Sequence, residues 1–308
     1  MANPALINDP PSMPPAADVV DAHTHVFPPD VLRDRDAFVA RDPWFALLYA
    51  DPRATLIDAD ALLTTMATAG VGHAVLCGFP WADLGLCRAA NDALADDAAR
   101  GGGRLSWLAS VPPHLGRAAA DETERCLALG ARGLGELNAD AQGFDLATPA
   151  ALAPVVEVCV ARDVPLLLHA SEPVGHAYRG KGTATPERLL AFLAAYPALR
   201  VVFAHWGGGL PFYELMPEVA AVAGRVVYDS AASSYLYRPS VFRAVLDIIG
   251  SERVLFGSDH PVLRQDRFLR RVVDGGRLDR SEASAVLGGN ARRVYDLAAA
   301  APTPEVRS

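Results

Sequence analysis

The sequence has almost no lysine and few cysteines, and both shortages narrow its possible functions. Lys181 is the only lysine among 308 residues, and the formal net charge is −8. A chain with this charge and no basic patch is not expected to bind nucleic acid. The four cysteines form no C-x-x-C pair and no zinc-finger spacing. We interpret them as small buried apolar side chains of a protein in a reducing compartment.

The sequence also lacks targeting signals. No apolar run is long enough to cross a bilayer, so no membrane association is expected. The first residues, MANPALINDPPSMPPAA, have neither a basic start nor an apolar core, and therefore do not form a secretion signal. We expect residues 1–17 to be a disordered, proline-rich arm, residues 301–308 to be a tail, and the protein to be cytoplasmic.

Apolar runs typical of β-strands alternate with segments that have the pattern of helices. The strand cores are continuously apolar, as expected for parallel strands that are covered on both faces. Eight such β/α units predict one α/β domain over residues 18–300, a (β/α)8 TIM barrel. The predicted strands lie within residues 18–26, 71–80, 104–113, 131–139, 164–173, 200–209, 225–233 and 253–261.

One connection is unusually long. Residues 27–58 follow the first strand and carry a group of large apolar side chains at positions 44–49. Long ordered loops in compact domains are usually functional. We interpret this insertion either as a lid over the mouth of the barrel or as an extra helix packed against its outside.

Polar side chains stand at the carboxyl ends of five predicted strands, where TIM barrels carry their active sites. Each alone could be a buried histidine with a satisfied hydrogen bond, or a helix cap. Together they are costly to bury without partners, and one divalent cation would satisfy all of them. The candidates are His23, His25, Glu136, His169, His205 and Asp259.

Such a centre would activate water. A bound cation lowers the pKa of a coordinated water and polarises a substrate oxygen. Asp259 could then accept the proton of the attacking water, while His205 orients or stabilises the developing charge. Trp206 could wall the pocket or face the helices. His176 and Arg179, after the fifth strand, are candidates for contact with the substrate. His73, His114 and His260 are assigned no role in the site.

Six motifs in order resemble the amidohydrolase superfamily, in its amidohydrolase-related branch of TIM-barrel enzymes, which also contains decarboxylases. The resemblance covers nearly the whole chain. It implies that His23, His25, His169 and Asp259 bind metal, and that His205 is a second-metal ligand or a catalytic residue. The motifs are DAHTHVF, GLGELNAD, LLLHASEP, FAHWGGGLPFYELMP, YDSAAS and LFGSDHPV.

The chain departs from the members of that superfamily that bridge two metals with a carboxylated lysine, since Lys181 lies after the fifth strand. Glu136 instead resembles the bridging glutamate of TatD-type deoxyribonucleases. If Glu136 bridges, two ions are expected; otherwise one. We expect one ion, with Zn²⁺ as the first choice and Mn²⁺, Fe²⁺ or Co²⁺ as alternatives.

The sequence supports three functions. The first is a metal-dependent hydrolase of an amide, ester or lactone of a small molecule. The second is a metal-dependent non-oxidative decarboxylase or hydratase of a small, perhaps aromatic, carboxylic acid, whose carboxylate Arg179, Lys181 or Arg238 could bind. The third is a barrel that binds without turnover. The sequence leaves the substrate undefined and a homo-oligomer open.

Overall fold

Eight parallel strands form the centre of the fold in the computed structural model, which describes residues 13–298. Residues 1–12 of the predicted arm and the predicted tail lie outside the described residues. In the rest of the arm, residues 13–15 have no regular structure and Ala16–Asp18 form a 3-10 turn. The strands are β1 (Val20–His25), β2 (His73–Cys77), β3 (Leu105–Trp107), β4 (Leu134–Leu137), β5 (Leu166–Leu168), β6 (Val201–Phe203), β7 (Val227–Asp229) and β8 (Val254–Leu255).

The strands close into a ring. Strands β1 to β3 form one parallel sheet and β4 to β8 another, each in chain order. A bridge between Ala109 and Leu134 joins β3 to β4, and a bridge between Thr24 and His260 joins β1 to the segment after β8. The second junction is reinforced because the Asp259 amide donates to the His23 carbonyl at 2.9 Å. The predicted TIM barrel is therefore confirmed.

Helices follow every strand of the barrel. They are α1 (Pro29–Arg33), α2 (Arg35–Arg41), α3 (Pro43–Tyr49), α4 (Ala59–Ala69), α5 (Leu84–Arg100), α6 (Arg117–Ala128), α7 (Ala139–Gln142), α8 (Ala153–Ala161), α9 (Pro186–Ala195), α10 (Leu210–Tyr213), α11 (Pro217–Ala223), α12 (Ser233–Leu236), α13 (Val241–Ile249), α14 (Gln265–Gly276), α15 (Arg280–Ser284) and α16 (Asn290–Val294). Helix α4 shows how the sequence sets these bounds: the Asp58 carboxylate accepts from the Ala61 amide at its start, and Gly70 ends it at φ 74°.

A bulge in β1 directs both of its histidines into the barrel. Between Asp21 and Thr24 this strand advances three residues while β2 advances two, so it carries one extra residue. His25 pairs with Cys77, which belongs to the apolar cluster inside the barrel. His23 and His25 therefore share the inner side, although the strand's first residues alone would place His23 on the outside.

A second bulge does the same for β4. Between Leu134 and Leu137 this strand advances three residues while β5 advances two. Both leucines lie in the outer core layer, between the strands and the helices. The extra residue is accommodated between them, and Glu136 turns towards the inside of the barrel.

The insertion after β1 forms α1, α2 and α3 and is anchored by aromatic rings. Phe45 is fully buried, and its ring centroid lies 5.0–5.9 Å from those of Phe27, Tyr49, Phe79 and Trp81. Aromatic pairs at these distances add to the stabilisation that comes from apolar burial. The insertion is thus packed onto the barrel through one face of α3.

No helix within residues 13–298 combines the length and the hydropathy that a membrane-spanning helix needs.

Candidate metal centre and cavity

The six polar side chains predicted from the strand ends lie together at the carboxyl end of the barrel. The exposed fraction of each side chain is at most 12%. Their ligand atoms form two groups of three, in each of which all atoms lie within 4.8 Å of one another. One group is His23, His25 and Asp259, and the other is Glu136, His169 and His205.

The first group has the spacing of ligands around one ion. The Nε2 atoms of His23 and His25 lie 3.0 Å apart. Asp259 Oδ1 lies 3.3 Å from His25 Nε2 and 3.7 Å from His23 Nε2. Three atoms at these separations can all reach a cation at the ~2.0–2.2 Å typical of nitrogen and carboxylate ligands.

The ligand atoms of the second group lie equally close to one another, and Glu136 connects this group to the first. Glu136 Oε1 lies 2.8 Å from His169 Nδ1 and 3.2 Å from His205 Nε2. Its other oxygen, Oε2, lies 3.6 Å from His23 Nε2 and 3.8 Å from His25 Nε2. The carboxylate therefore faces one group with each oxygen. His169, predicted to bind metal with His23 and His25, belongs to this second group.

Hydrogen bonds behind the ligands set the histidine tautomers. His23 Nδ1 lies 2.8 Å from Asp229 Oδ2, and His25 Nδ1 lies 3.2 Å from the Cys77 carbonyl. Each of these oxygens accepts, so each Nδ1 donates and each Nε2 presents a lone pair. Two lone pairs facing each other at 3.0 Å repel unless a cation or a proton lies between them. The donor set thus fits a divalent cation.

The third histidine of this kind is His205. Its Nδ1 lies 3.1 Å from the Ala231 carbonyl and its Nε2 lies 3.2 Å from Glu136 Oε1, so both ring nitrogens donate when the imidazole is protonated. Its main chain is held in place because the His205 amide donates to Asp229 Oδ1 at 3.0 Å. Asp229 therefore positions two of the candidate ligands without being one.

The charges in this cluster are concentrated and buried. Burial lowers the pKa of His205, but its hydrogen bond to the Glu136 carboxylate outweighs burial and raises that pKa to about 9. Burial raises the pKa of Asp259, but the hydrogen bond to His25 and the nearby His23 bring it down to about 2. The carboxylates remain anionic, and such buried charges require positive partners.

Comparison with known proteins identifies the family. The sequence profile of the family described as Amidohydrolase matches residues 20–297. The chain belongs to the amidohydrolase family. The resemblance stated from the motifs is confirmed, and the protein is an enzyme of the amidohydrolase superfamily.

Several proteins to which the chain is similar are decarboxylases. The γ-resorcylate decarboxylase of Polaromonas sp. is 27% identical over 254 residues, which cover 68% of this chain and 76% of the relative. The crystal structure of 5-carboxyvanillate decarboxylase from Sphingomonas paucimobilis has a TM-score of 0.74 at 19% identity, covering 92% and 100% of the two chains. Dihydroxybenzoic acid decarboxylase from Polaromonas sp., with bound manganese and the inhibitor 2-nitroresorcinol, has a TM-score of 0.67 at 21% identity, covering 91% and 97%.

A cavity of about 330 Å³ opens above the ligand cluster of this amidohydrolase. His25, Glu136, His169, His205 and Asp259 line it, so the cluster is accessible from it. Its walls are mostly apolar and include residues of α3 from the insertion. The apolar and aromatic side chains that line it include Trp44, Leu48, Tyr49, Phe79, Leu236 and Val262.

A left-handed turn after β6 explains the position of His205 and decides between the two positions predicted for Trp206. His205, Trp206, Gly207 and Gly208 have φ between 55° and 60°. A Cβ on Gly208 would lie 2.3 Å from the Ser171 carbonyl oxygen, so only glycine fits there. The turn sends Trp206 into the core, fully buried against the ring of Phe242. Trp206 is not among the cavity residues, so of the two positions that the sequence left open it takes the one that faces the helices.

The candidates for carboxylate binding lie in different places. Arg179 and His176 are exposed and line the outer part of the cavity. Lys181 donates to the Val174 carbonyl at 2.8 Å, so it braces its own loop. Neither Lys181 nor Arg238 is among the cavity residues. Arg179 is thus the one predicted cation of the three at the cavity.

Four residues of the site escaped the sequence analysis. Asp229 holds His23 and His205, and Asp21 accepts from the Ser258 amide at 2.8 Å and from Gln265 Nε2 at 2.8 Å. Burial raises the pKa of Asp21. Tyr49 and Asn138 line the cavity. Asp21 and Asn138 each lie two residues from a candidate ligand, Asp229 lies in the motif YDSAAS and Tyr49 lies in the insertion, but none of them was assigned a role.

Proposed function

We propose that the protein is a metal-dependent non-oxidative decarboxylase of a small aromatic carboxylic acid. The observation that carries this proposal is the combination of a largely apolar, aromatic-walled cavity with a buried ligand cluster at its base. A single ring with its carboxylate towards the cluster matches that combination. The decarboxylases to which the chain is similar support it, and they favour this alternative over the hydrolase that the sequence analysis put first.

We infer that His23, His25 and Asp259 hold a divalent cation, with Glu136 or His169 as a further ligand. The bound ion would act as a Lewis acid that binds substrate oxygens and stabilises negative charge. Histidine and carboxylate ligands suit Zn²⁺, as predicted, and the manganese of the similar decarboxylase makes Mn²⁺ the second ion to test.

The reaction needs a proton on the ring carbon that carries the carboxylate. The bond between this carbon and the carboxylate then breaks, its electrons stay on the ring, and CO₂ leaves. Asp259 lies at the cavity and is the proposed proton carrier; it takes a proton from a substrate hydroxyl or a water and passes it to the ring carbon. His205 is proposed to stabilise the charge that develops. Arg179 and His176 would contact the outer end of the substrate.

We propose that the insertion at residues 27–58 is a fixed wall rather than a mobile lid. Its helix α3 presents Trp44, Leu48 and Tyr49 to the cavity, while Phe45, one turn before Tyr49 on the same side of the helix, is fully buried. Opening such a lid would expose the Phe45 ring to water, at a cost of about 1.5–3 kcal/mol for that side chain alone.

Hydrolysis is kept as a second candidate because of Glu136. Its two oxygens face two separate ligand groups, which is the arrangement of a carboxylate between two ions. Paired ions are used to activate water and to stabilise a leaving oxygen. One ion with CO₂ release would favour the first proposal, and two ions with addition of water would favour the second.

The deciding experiment measures metal and product on the same sample. Apo-protein is reloaded with Zn²⁺ or Mn²⁺, and metal is quantified by elemental analysis. The sample is then incubated with hydroxybenzoic acids, and separately with aryl esters and lactones. We expect CO₂ from a carboxyl-labelled acid and no acid release from esters. Ester or lactone cleavage without any CO₂ would overturn the decarboxylase proposal.

Three predictions from the sequence accompany this proposal. They are the single domain over residues 18–300, a cytoplasmic location, and an oligomeric state in which a homo-oligomer stays open.

A further inference from the structure

The turn that carries Asp259 is held by hydrogen bonds rather than by a strand. Strand β8 ends at Leu255, so Asp259 lies in the loop that follows it. Its φ is 62°, in the left-handed region, where residues other than glycine are uncommon and persist only if their surroundings fix them. The Asp259 amide donates to the His23 carbonyl at 2.9 Å, which fixes one point of the turn. The other points depend on Ser258 and His260, the residues on either side.

Both neighbours of Asp259 are connected to one buried carboxylate, that of Asp21. Asp21 Oδ1 accepts from the Ser258 amide at 2.8 Å, and Asp21 Oδ2 accepts from Ser258 Oγ at 2.5 Å. Ser258 Oγ in turn accepts from the His260 amide at 3.0 Å. A chain of three hydrogen bonds therefore leads from Asp21 to the main chain on both sides of Asp259.

Asp21 is itself held in place. Val20 and Ala22 belong to the apolar cluster inside the barrel, so Asp21 points outwards, towards the helices. There Gln265 Nε2, on α14, donates to Asp21 Oδ2 at 2.8 Å. The residue is 0% exposed, and a buried carboxylate that lost these donors would be costly. The carboxylate and its donors thus fix one another.

We propose that Asp21 is a positioning residue that acts through Ser258 to hold Asp259 in the orientation in which it binds the cation. This inference rests on the proposed function, since it takes Asp259 as a metal ligand from there. Asp259 Oδ1 lies 3.3 Å from His25 Nε2, and a rotation of the turn would move this oxygen away from the histidines. The simpler alternative is that Asp21 only joins β1 to α14. Its loss would then weaken all the ligands of the site alike.

The test removes the connection in two ways. Ser258→Ala deletes the hydroxyl group between Asp21 and the His260 amide. Asp21→Asn keeps the size of the side chain, but its NH₂ group cannot accept the proton of the Ser258 hydroxyl group. Thr123→Val is the control for loss of a buried hydroxyl group, since Thr123 is 0% exposed and donates to the Ala119 carbonyl at 2.8 Å within α6.

Each change is made in the unmodified protein and in Asp259→Gly, in which glycine adopts the same φ but offers no ligand. Chelator-treated protein is titrated with Co²⁺, binding is followed by the visible spectrum, and circular dichroism verifies folding. With Asp259 present, we expect Ser258→Ala and Asp21→Asn to weaken Co²⁺ binding by about 10- to 100-fold, the usual effect of losing a partner behind a ligand.

In the Asp259→Gly background, the same two changes should weaken Co²⁺ binding by less than about 2-fold, because the ligand on which they act is gone. The Thr123→Val control should stay within that factor in both backgrounds. Equal weakening in the two backgrounds would overturn the inference, as would no weakening while Asp259 is present.

A crystal structure of metal-free Ser258→Ala is the second measurement, and it decides if Asp259→Gly binds no Co²⁺. We expect the Asp259 carboxylate to be displaced while His23 and His25 keep their positions. An unmoved carboxylate would refute the inference. Failure of the unmodified protein to bind Co²⁺ or to release CO₂ would count against the proposed function alone, because the structure of the variant tests the positioning without metal.

Discussion

Asp229→Asn is expected to abolish tight metal binding although Asp229 is not a ligand. The Oδ1 atom of Asp229 accepts from the amides of His205 and Ala231 at 3.0 and 2.9 Å, and its Oδ2 lies 2.8 Å from His23 Nδ1. In the asparagine variant the oxygen must remain with the two amides. The new NH₂ group would then face His23 Nδ1.

This reversal changes the tautomer of His23. The NH₂ group can only donate, so His23 Nδ1 must accept, and the imidazole proton moves to Nε2. Nε2 then lacks the lone pair that would bind the cation and directs a proton at His25 Nε2, 3.0 Å away. Loss of a partner behind a ligand typically costs about 10- to 100-fold in metal affinity. Because the tautomer itself is reversed, we take that range as the minimum.

The assay is calorimetric titration of chelator-treated protein with Zn²⁺ and with Mn²⁺, combined with circular dichroism to verify folding. The ¹⁵N shifts of the His23 ring report the tautomer directly, which a merely structural defect would not reverse. Asp247→Asn is the matched control, since Asp247 is exposed on α13 and, within the described residues, pairs only with Arg243. Metal affinity within a factor of two of the unmodified protein would refute this reasoning.

Four further changes test the remaining parts of the site. Asp259→Asn should keep the fold, because asparagine tolerates its φ of 62°, and lower turnover by about 10²–10⁴-fold at measured full metal occupancy; a fall of only a few-fold would exclude it as the proton carrier. Glu136→Gln should leave the metal stoichiometry near one if the prediction of one ion holds, and should reduce it from two if Glu136 bridges; elemental analysis decides. Metal affinity should rise with pH up to about 9, because the charge of protonated His205, 3.2 Å from Glu136 Oε1, opposes a cation bound beside that carboxylate, and titrations in buffers of different ionisation enthalpy should detect release of this proton. Phe45→Ala should lower the free energy of unfolding by about 3–5 kcal/mol, whereas Leu47→Ala, 44% exposed on the same helix, should change it by less than about 1 kcal/mol in denaturant unfolding.

The barrel could be predicted because the sequence pattern of each strand is local. Apolar runs and their polar ends can be read directly, and in a parallel barrel all carboxyl ends meet at one mouth. That single rule brought together His23, His169 and Asp259 from strands far apart in the chain. The predicted strand at 253–261 was too long, since β8 ends at Leu255 and Asp259 lies in the following loop.

What the sequence could not predict depends on backbone irregularities. A bulge shifts every later side chain to the opposite face, and neither bulge in β1 and β4 has a signature that alternation can detect. The left-handed turn that begins at His205 sets the direction of Trp206, which the sequence left open. Tyr49 lies on a connection whose path over the mouth is set by packing of Phe45 rather than by any motif.

The ligand cluster by itself does not separate hydrolysis from decarboxylation, because both need a cation, an anionic proton carrier and a second polar group. The separation comes from what surrounds the cluster. Hydrolysis requires a place for water beside the ion, whereas loss of CO₂ requires a dry cavity that holds a flat ring over Asp259. Trp44, Phe79 and Val262 supply apolar walls, and the insertion that carries Trp44 is anchored by a buried ring. If the protein is the proposed decarboxylase, we expect its chemistry to be decided less by the strand ends than by the connection that follows the first strand.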